Sequence, residues 1–229
     1  MSEAPYRLRI PKRLLSFDIE TEMIEDRKHL EDTPVLFAGW QVYEYSPEAK
    51  WYAPAGDFQW LPEAKFGDKV NNLLNDFDGL VIGHNLFNFD YQVMWKYGSL
   101  EKALPKTCDT YALLKLVYRG KGLKLDKLGA NFGEHKTCSA EEAIAYYKNP
   151  RTRRLALEYN AQDCALEAKL WMHLLQQQSI QVIDKNEEPQ QIKLNLPMLE
   201  MLVCAKPQMT ADRYLREYPH LDERNFGIG

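Results

Sequence analysis

The first strand-like run of the chain carries two acids on one face. The segment Arg13–Thr21 (RLLSFDIET) is apolar apart from its ends, Ser16, and Asp18 and Glu20, which stand two positions apart. Because side chains alternate across a strand, both carboxylates point to one face of it. Neighbouring acids repel each other and resist loss of water, so they require either a solvated strand end or a shared cation. The pair alone leaves both alternatives open.

The order of the predicted elements indicates a mixed sheet covered by helices. Residues 35–43 and 50–53 predict an antiparallel pair with turn chemistry at Ser46-Pro47, after a loop over 22–32. Apolar spacing predicts a helix near 70–77, and 79–85 predicts a buried strand. Further helices are predicted over 91–97, 110–118, 126–132, 139–147 and 151–177, and beyond 178 a hairpin around 186–189 and a helix near 210–217. Strands first and helices after predict an α/β or α+β domain.

Composition limits the function classes. The length of 229 residues predicts one large domain, or one domain with an appendage. Because the net charge is −4, nucleic-acid binding would depend on a local patch of positive charge or on metal ions. Its longest uncharged apolar stretch, 34–43, is about half the length of a membrane-spanning helix, and the amino terminus lacks the apolar core of a signal peptide. We therefore expect no membrane contact and a cytoplasmic or nucleoid-associated protein that is not secreted, with its four cysteines reduced.

A second pair of functional candidates lies in the long predicted helix. Tyr159 and Asp163 are four residues apart and share one helical face. The core-facing stripe of this helix is predicted to consist of Leu155, Leu166, Leu170 and Leu174. Asp163 is therefore expected beside packed structure, and Tyr159 is either a partly buried tyrosine with its hydroxyl in water or a hydroxyl positioned beside a metal carboxylate.

A further acid follows the buried strand. Asp90 ends the segment HNLFNFD, where capping of the next helix is the common role for an aspartate. Asp18, Glu20, Asp90 and Asp163 are nevertheless placed to converge at one end of the sheet. Four acids without a basic ligand form an oxygen cage suited to Mg²⁺ or Mn²⁺.

Three segments, in chain order, resemble the motifs of a known enzyme family. SFDIET, HNLFNFD and YNAQDCAL are similar to the three motifs of the DEDD 3′-5′ exonucleases, in the tyrosine (DEDDy) branch, and are closest in form to the proofreading domains of family-B DNA polymerases. The stretch 123–136 (LKLDKLGANFGEHK) resembles a segment that those domains carry between the second and third motifs. The histidine branch would place a histidine where Glu158 stands. The resemblance covers about the first three quarters of the chain.

This resemblance implies a fold, a reaction and roles for individual residues. The fold would be RNase H-like, and the reaction would be removal of nucleoside 5′-monophosphates from 3′ ends of single-stranded DNA with two divalent ions. Asp18, Glu20 and Asp163 would hold one ion, and Asp18 and Asp90 the second. Tyr159 would orient the attacking water. The residues implied to contact the terminal nucleotides are Thr21, Asn85 and Phe89.

Alternatives and context remain open at this point. The nearest rival is a 3′-5′ exoribonuclease of the same chemistry, and a different class is a catalytically idle nucleic-acid-binding RNase H-like module. Residues 1–178 are assigned to the exonuclease domain and 179–229 to an extension of unknown role. That extension is too short for a polymerase, so we expect any proofreading partner, a polymerase or another replication or repair protein, to act in trans.

Three neighbouring features receive less specific interpretations. We expect His84 to be structural and Asp109 to cap the helix that follows it. Arg151, Arg153 and Arg154 form either a phosphate contact or a solvated face.

Overall fold

The computed structural model describes residues 8–24, 30–120, 122–134, 136–184, 186 and 188–221. The strands of this part are β1 Arg13–Thr21, β2 Val35–Ser46, β3 Trp51–Pro54, β4 Gln59–Pro62, β5 Leu80–Gly83, β6 Thr107–Asp109, β7 Ser179–Ile183 and β8 Pro189–Lys193. Its α-helices are α1 Lys69–Asp76, α2 Asp90–Met94, α3 Thr110–Lys115, α4 Leu125–Gly129, α5 Ala140–Lys148, α6 Arg153–Gln177, α7 Leu196–Leu202 and α8 Ala211–Glu217. Residues 25–29 of the predicted loop and 222–229 of the predicted extension lie outside the described residues.

The main sheet is mixed, with β1 at its centre. Its order is β3-β2-β1-β5-β6, with β4 also paired to β2. Strand β1 is antiparallel to β2 and parallel to β5, which is in turn parallel to β6. Strand β2 is long enough for β4 to pair with Phe37–Trp40 and for β3 to pair with Tyr43–Ser46. The predicted antiparallel pair is confirmed. Strand β4 was not predicted. It ends at Pro62, and a segment that contains proline does not predict a strand, because proline is tolerated only in an edge strand.

The pairing of β1 with β2 contains one irregularity, immediately after the acids. Glu20 pairs with Phe37, but Thr21 pairs with Val35, so Leu36 is an extra residue on β2. The carbonyl of Leu36 accepts a hydrogen bond from the Tyr147 hydroxyl of α5, at 3.0 Å. This arrangement is a β-bulge at which the regular alternation of the sheet ends.

Two apolar cores lie on opposite faces of this sheet. Leu14 of β1 belongs to the core that includes the buried residues of α6 and α7. Leu15, Phe17 and Ile19 belong to the core that includes residues of α1, α2 and α8. A mixed sheet flanked by helices on both faces confirms the predicted α/β architecture and is consistent with an RNase H-like fold.

Helix α6 is the main cover of the face that carries the acids. It begins at Arg153, two residues later than predicted, and buries Leu166, Leu170 and Leu174 as predicted. The prediction was wrong for Leu155, which is 39% exposed. This side chain lies about 100° around the helix from the buried Ala156, at the margin of the buried stripe and in the first turn.

The described part of the segment after Gln178 packs on both faces of the sheet. Strands β7 and β8 form the predicted hairpin, and Thr210 caps α8 close to the predicted helix start. Helix α7, which was not predicted, joins the core beneath α6, where Trp171 Nε1 donates to the carbonyl of Leu202 at 2.8 Å. On the other face, the buried Tyr214 stacks on Trp95 and donates to the Phe87 carbonyl at 3.0 Å. No described helix is both long and apolar enough to cross a membrane.

We expect replacement of Tyr214 by alanine to lower the free energy of unfolding by about 3–5 kcal/mol, because a fully buried aromatic side chain and its hydrogen bond are removed together. Urea unfolding followed by circular dichroism measures this loss. The control is Tyr146→Phe on α5, at a partly exposed position, which should change stability by no more than about 0.5 kcal/mol. Equal stability of the Tyr214→Ala protein and the wild type would contradict the packing of α8 as part of the core.

Candidate metal centre

Three acids from two elements meet on one face of the sheet. Asp18 and Glu20 project from β1, and Asp163 projects from α6, which covers that face. One carboxylate oxygen from each lies within 4.8 Å of the other two. Strand alternation brings the first two together, and the packing of α6 across β1 adds the third.

Asp163 shows the clearest sign of an unsatisfied ligand. Its side chain is buried, and its Oδ2 accepts a hydrogen bond from Lys136 Nζ at 2.7 Å. Its Oδ1 is also buried but has no hydrogen-bond partner within the described part of the chain. A buried carboxylate oxygen without a partner costs free energy. A hard divalent cation takes such oxygens as ligands, so the donor set fits Mg²⁺ or Mn²⁺.

Asp90 lies beside this group. It is buried at the first residue of α2, and its Oδ1 accepts a hydrogen bond from the backbone N–H of Ile19 at 3.2 Å. Ile19 stands between Asp18 and Glu20, so Asp90 is tied to the strand that carries them. Among the described residues, the group of oxygens within 4.8 Å does not extend to Asp90.

Burial and mutual repulsion change the ionisation of all four acids. Burial, with the charges of Glu20, Asp90, Glu167 and Asp163, raises the pKa of Asp18 well above its usual range. Burial raises the pKa of Glu20 to about 7 and that of Asp90 to about 8. Burial also raises the pKa of Asp163, against the lowering effect of Lys136. Raised pKa values mean that the ionised carboxylates are destabilised here, and a positive charge placed among them would stabilise the ionised forms.

Lys136 supplies one such charge and connects Tyr159 to Asp163. Its Nζ lies 2.9 Å from the Tyr159 hydroxyl and 4.9 Å from the centre of the Tyr159 ring, in addition to its contact with Asp163. Burial opposes ionisation of this ammonium, but the Asp163 carboxylate and Tyr159 raise the pKa of Lys136 above its usual value. The sequence analysis included Lys136 only as the last residue of the 123–136 stretch and gave it no role.

Asn160 is a second residue that the sequence analysis missed. Its side chain is fully buried, and its Nδ2 donates to Asp18 Oδ2 at 2.7 Å and to Glu20 Oε1 at 3.3 Å. One amide thus holds both acids of β1 in place. The available signal was its position three residues before Asp163, which places it on the same helical face.

Glu167 is the third missed residue and lies one turn beyond Asp163. It is buried, and it accepts hydrogen bonds from Ser16 Oγ at 2.7 Å and from the backbone N–H of His84 at 3.0 Å. Ser16 is two residues before Asp18 on the same strand face. Glu167 therefore fixes α6 against β1 next to the candidate ligands.

Of the three residues expected to contact nucleotides, Thr21 and Phe89 are adjacent in sequence to the acids Glu20 and Asp90. Thr21 is buried at the end of β1, and its hydroxyl donates to the Glu22 carbonyl at 3.0 Å. Asn85 has a φ of 80°, and its side-chain oxygen accepts from Asn88 Nδ2 at 3.1 Å. Phe89, immediately before Asp90, is half-buried against the core that contains Phe17.

His84 and Asp109 have the structural contacts that were expected. The His84 ring nitrogens lie 2.8 Å from Thr110 Oγ1 and 2.7 Å from the Leu123 carbonyl oxygen. Asp109 Oδ1 accepts from the backbone N–H of Ala112 at 3.1 Å, which confirms the predicted cap of α3.

Two of the three clustered arginines have partners within the chain. Arg154 pairs with Glu158, and Arg153 Nε donates to the Tyr147 carbonyl at 3.1 Å. Arg151 is exposed.

Comparison with known proteins relates the chain to a DNA polymerase at the level of fold. No protein-family model and no curated protein sequence matches it. Its structure is similar to that of the family B DNA polymerase from the hyperthermophilic archaeon Pyrobaculum calidifontis, with a TM-score of 0.56 and 13% sequence identity. The similarity covers 98% of this chain and 30% of the polymerase chain. At this identity it shows a shared fold.

His84 gives the site a measurable pH signature. Burial of its ring lowers the pKa of His84 from 6.5 to about 4, so between these values the unfolded chain binds a proton that the folded protein excludes. The stability contributed by neutral His84 is therefore present above pH 6.5 and is lost as the pH falls towards 4. We expect the difference in unfolding free energy between the wild type and His84→Gln to decrease by about 3 kcal/mol from pH 7 to pH 4 in urea titrations. The subtraction cancels the acids that titrate in both proteins, and a difference independent of pH would refute the expectation.

Proposed function

We propose that this protein is a metal-dependent 3′-5′ exonuclease of the tyrosine branch of the DEDD family, acting on single-stranded DNA. The observation that carries the proposal is the buried Oδ1 of Asp163, which has no hydrogen-bond partner among the described residues. Asp163 belongs to a group of three carboxylates and follows Tyr159 by one helical turn. The structural similarity to a DNA polymerase supports the assignment of this protein as a nucleic-acid enzyme.

The four acids would hold two divalent ions, Mg²⁺ or Mn²⁺. Asp18, Glu20 and Asp163 would bind one ion, and Asp18 and Asp90 the other. When bound, such ions activate water for attack on a phosphodiester and neutralise the charge on the leaving oxygen. The role of Asn160 would be to hold Asp18 and Glu20 in the orientation that binding requires, since its amide bridges both.

Tyr159 would position the attacking water. Because an ammonium group only donates hydrogen bonds, the Tyr159 oxygen is the acceptor in its contact with Lys136. The hydroxyl hydrogen of Tyr159 is then directed away from Lys136 and towards Asp163, whose pKa a hydrogen bond from Tyr159 lowers. The attacking water would lie at this hydroxyl, beside the candidate metal ligand. Lys136 would thus fix the hydroxyl while it also balances part of the negative charge of the site.

The substrate would approach along the residues that flank the acids. Thr21, Asn85 and Phe89 would contact the last nucleotides through a hydroxyl, an amide and an aromatic ring. We assign the activity to residues 1–178 and treat 179–229 as an extension. A polymerase or another replication or repair protein would act with it in trans.

Replacement of Asp18 by alanine should abolish Mg²⁺-dependent cleavage of 3′-labelled and 5′-labelled single-stranded DNA, with a loss of at least about 10³-fold. The fold should survive, because this acid is repelled by its neighbours and its removal relieves that repulsion. Thermal unfolding without metal should show a midpoint equal to or above that of the wild type.

The matched control is Glu158→Gln, an exposed acid on α6 adjacent in sequence to Tyr159, which should retain wild-type activity. Near-normal Mg²⁺-dependent cleavage by the folded Asp18→Ala protein would refute the metal assignment. Parallel digestion of DNA and RNA oligonucleotides of one sequence distinguishes the exoribonuclease alternative, and binding without cleavage by the wild type identifies an idle module.

Replacement of Lys136 by methionine should separate metal binding from catalysis. The ammonium occupies Asp163 Oδ2, so its removal should lower the Mg²⁺ concentration required for half-maximal activity. It also releases the Tyr159 hydroxyl, so kcat should decrease by about 10²-fold. Mg²⁺ titrations of the cleavage rate measure both effects, with Lys169→Met, which removes an exposed ion pair with Glu134, as the control. A higher Mg²⁺ requirement in the Lys136 variant would contradict this role.

A further inference from the structure

A group of aromatic side chains lies on the same sheet face as the acids. We call Phe37 of β2, Trp60 of β4 and Tyr147 of α5 the aromatic shelf. Glu20 pairs directly with Phe37, and Asp18 pairs with Gly39, which pairs in turn with Trp60. Residues directly opposite each other in antiparallel strands project to the same face. The shelf therefore extends from the acids towards the sheet edge formed by β4.

The contacts within the shelf hold Trp60 in a defined position. The rings of Phe37 and Trp60 are 6.1 Å apart at an angle of 83°, and those of Phe37 and Tyr147 are 4.8 Å apart and stacked. Phe37 is fully buried, whereas Trp60 is 36% exposed. The buried ring thus supports a large indole that keeps part of its surface open to solvent.

The distance from the acids suits one step along a nucleic-acid strand. Trp60 is two inter-strand spacings from Asp18, about 10 Å across the sheet. Between them stands Gly39, where a β-carbon would overlap the side-chain oxygen of Asn160 and the ring of Phe58. The side chains of Asn160 and Phe58 therefore cover this glycine. Phe58 adds a further aromatic ring between the acids and Trp60.

A cation borders the shelf. The Arg153 guanidinium carbon is 5.0 Å from the centre of the Tyr147 ring, and Tyr147 is stacked on Phe37, which also contacts Trp60. Arg153 and Trp60 are thus joined through Tyr147 and Phe37, and a cation near an exposed aromatic side chain suits the phosphate and the base of a single-stranded nucleic acid.

We propose that Trp60 is a base-stacking subsite for single-stranded DNA, which holds a base upstream of the terminal nucleotide while Arg153 contacts its phosphate. This inference rests on the proposed exonuclease function and assigns the substrate a second point of attachment. A DNA strand is the occupant that fits, because the shelf adjoins the candidate catalytic acids and combines an open aromatic surface with a cation.

The test compares Trp60→Ala with Trp51→Ala on two substrates. Trp51 is 38% exposed on β3 and pairs with Ser46 at the far end of β2, so it matches Trp60 in residue type, exposure and edge position but lies away from the acids. For an oligothymidylate, Trp60→Ala should raise KM by about 5-fold to 150-fold, the range expected for one stacked base, and Trp51→Ala should leave KM unchanged. Hydrolysis of p-nitrophenyl thymidine 5′-phosphate, which has no upstream base, should be the same in all three proteins.

Trp60→Phe guards against a folding defect, since phenylalanine retains a ring on Phe37 and should recover most of the loss in KM. An unchanged KM in Trp60→Ala, or an equal increase in Trp51→Ala, would overturn the subsite. If the wild type cleaves neither substrate, the proposed function fails. The subsite is then decided by fluorescence anisotropy of labelled oligothymidylate, in which Trp60→Ala must bind more weakly than Trp51→Ala and equal binding refutes the subsite.

Discussion

The mutual repulsion of buried carboxylates is the constraint on which the rest of this structure depends. Burial raises the pKa of all five acids of this group, Asp18, Glu20, Asp90, Asp163 and Glu167, and the charges of neighbouring acids raise these pKa values further. Such a cluster persists only where donors surround it. The described residues supply an asparagine amide, a lysine ammonium, a serine hydroxyl and two backbone N–H groups. Among the described residues, these donors leave one buried oxygen of Asp163 without a hydrogen-bond partner, and a hard cation takes such oxygens as ligands.

Two simple periodicities place most of the site. Alternation along β1 aligns Ser16, Asp18 and Glu20, and the helical repeat aligns the buried polar residues of α6 with them. Ser16 and Glu167 form the contact that fixes the two elements against each other. The geometry of the candidate ligands is thus a property of one strand and one helix, and the remaining elements hold those two in register.

The parts of the molecule that sequence reasoning found are those that follow local patterns. The acids of β1, the pair of Tyr159 and Asp163, the cap formed by Asp109 and the hairpin after α6 all follow from spacing or turn chemistry. Lys136 could not be found in this way, because its role depends on where the loop after α4 meets α6. Strand β4 was missed because its four residues are specified by pairing with β2 rather than by their own composition. The prediction that Leu155 is buried failed for a similar reason. The spacing of apolar residues along a helix shows which face is buried, but not how far along the helix the covering sheet extends.

The bulge at Leu36 determines where the sheet ends relative to the acids. Without the extra residue, β1 and β2 would continue in register, and the backbone beyond Glu20 would remain in the plane of the sheet. With it, the register of β2 against β1 shifts by one residue after Glu20, and the Leu36 carbonyl accepts a hydrogen bond from the Tyr147 hydroxyl. The attachment of α5 beside the carboxylates is therefore made through a backbone irregularity. Deletion of Leu36 would remove this attachment even with every acidic side chain retained.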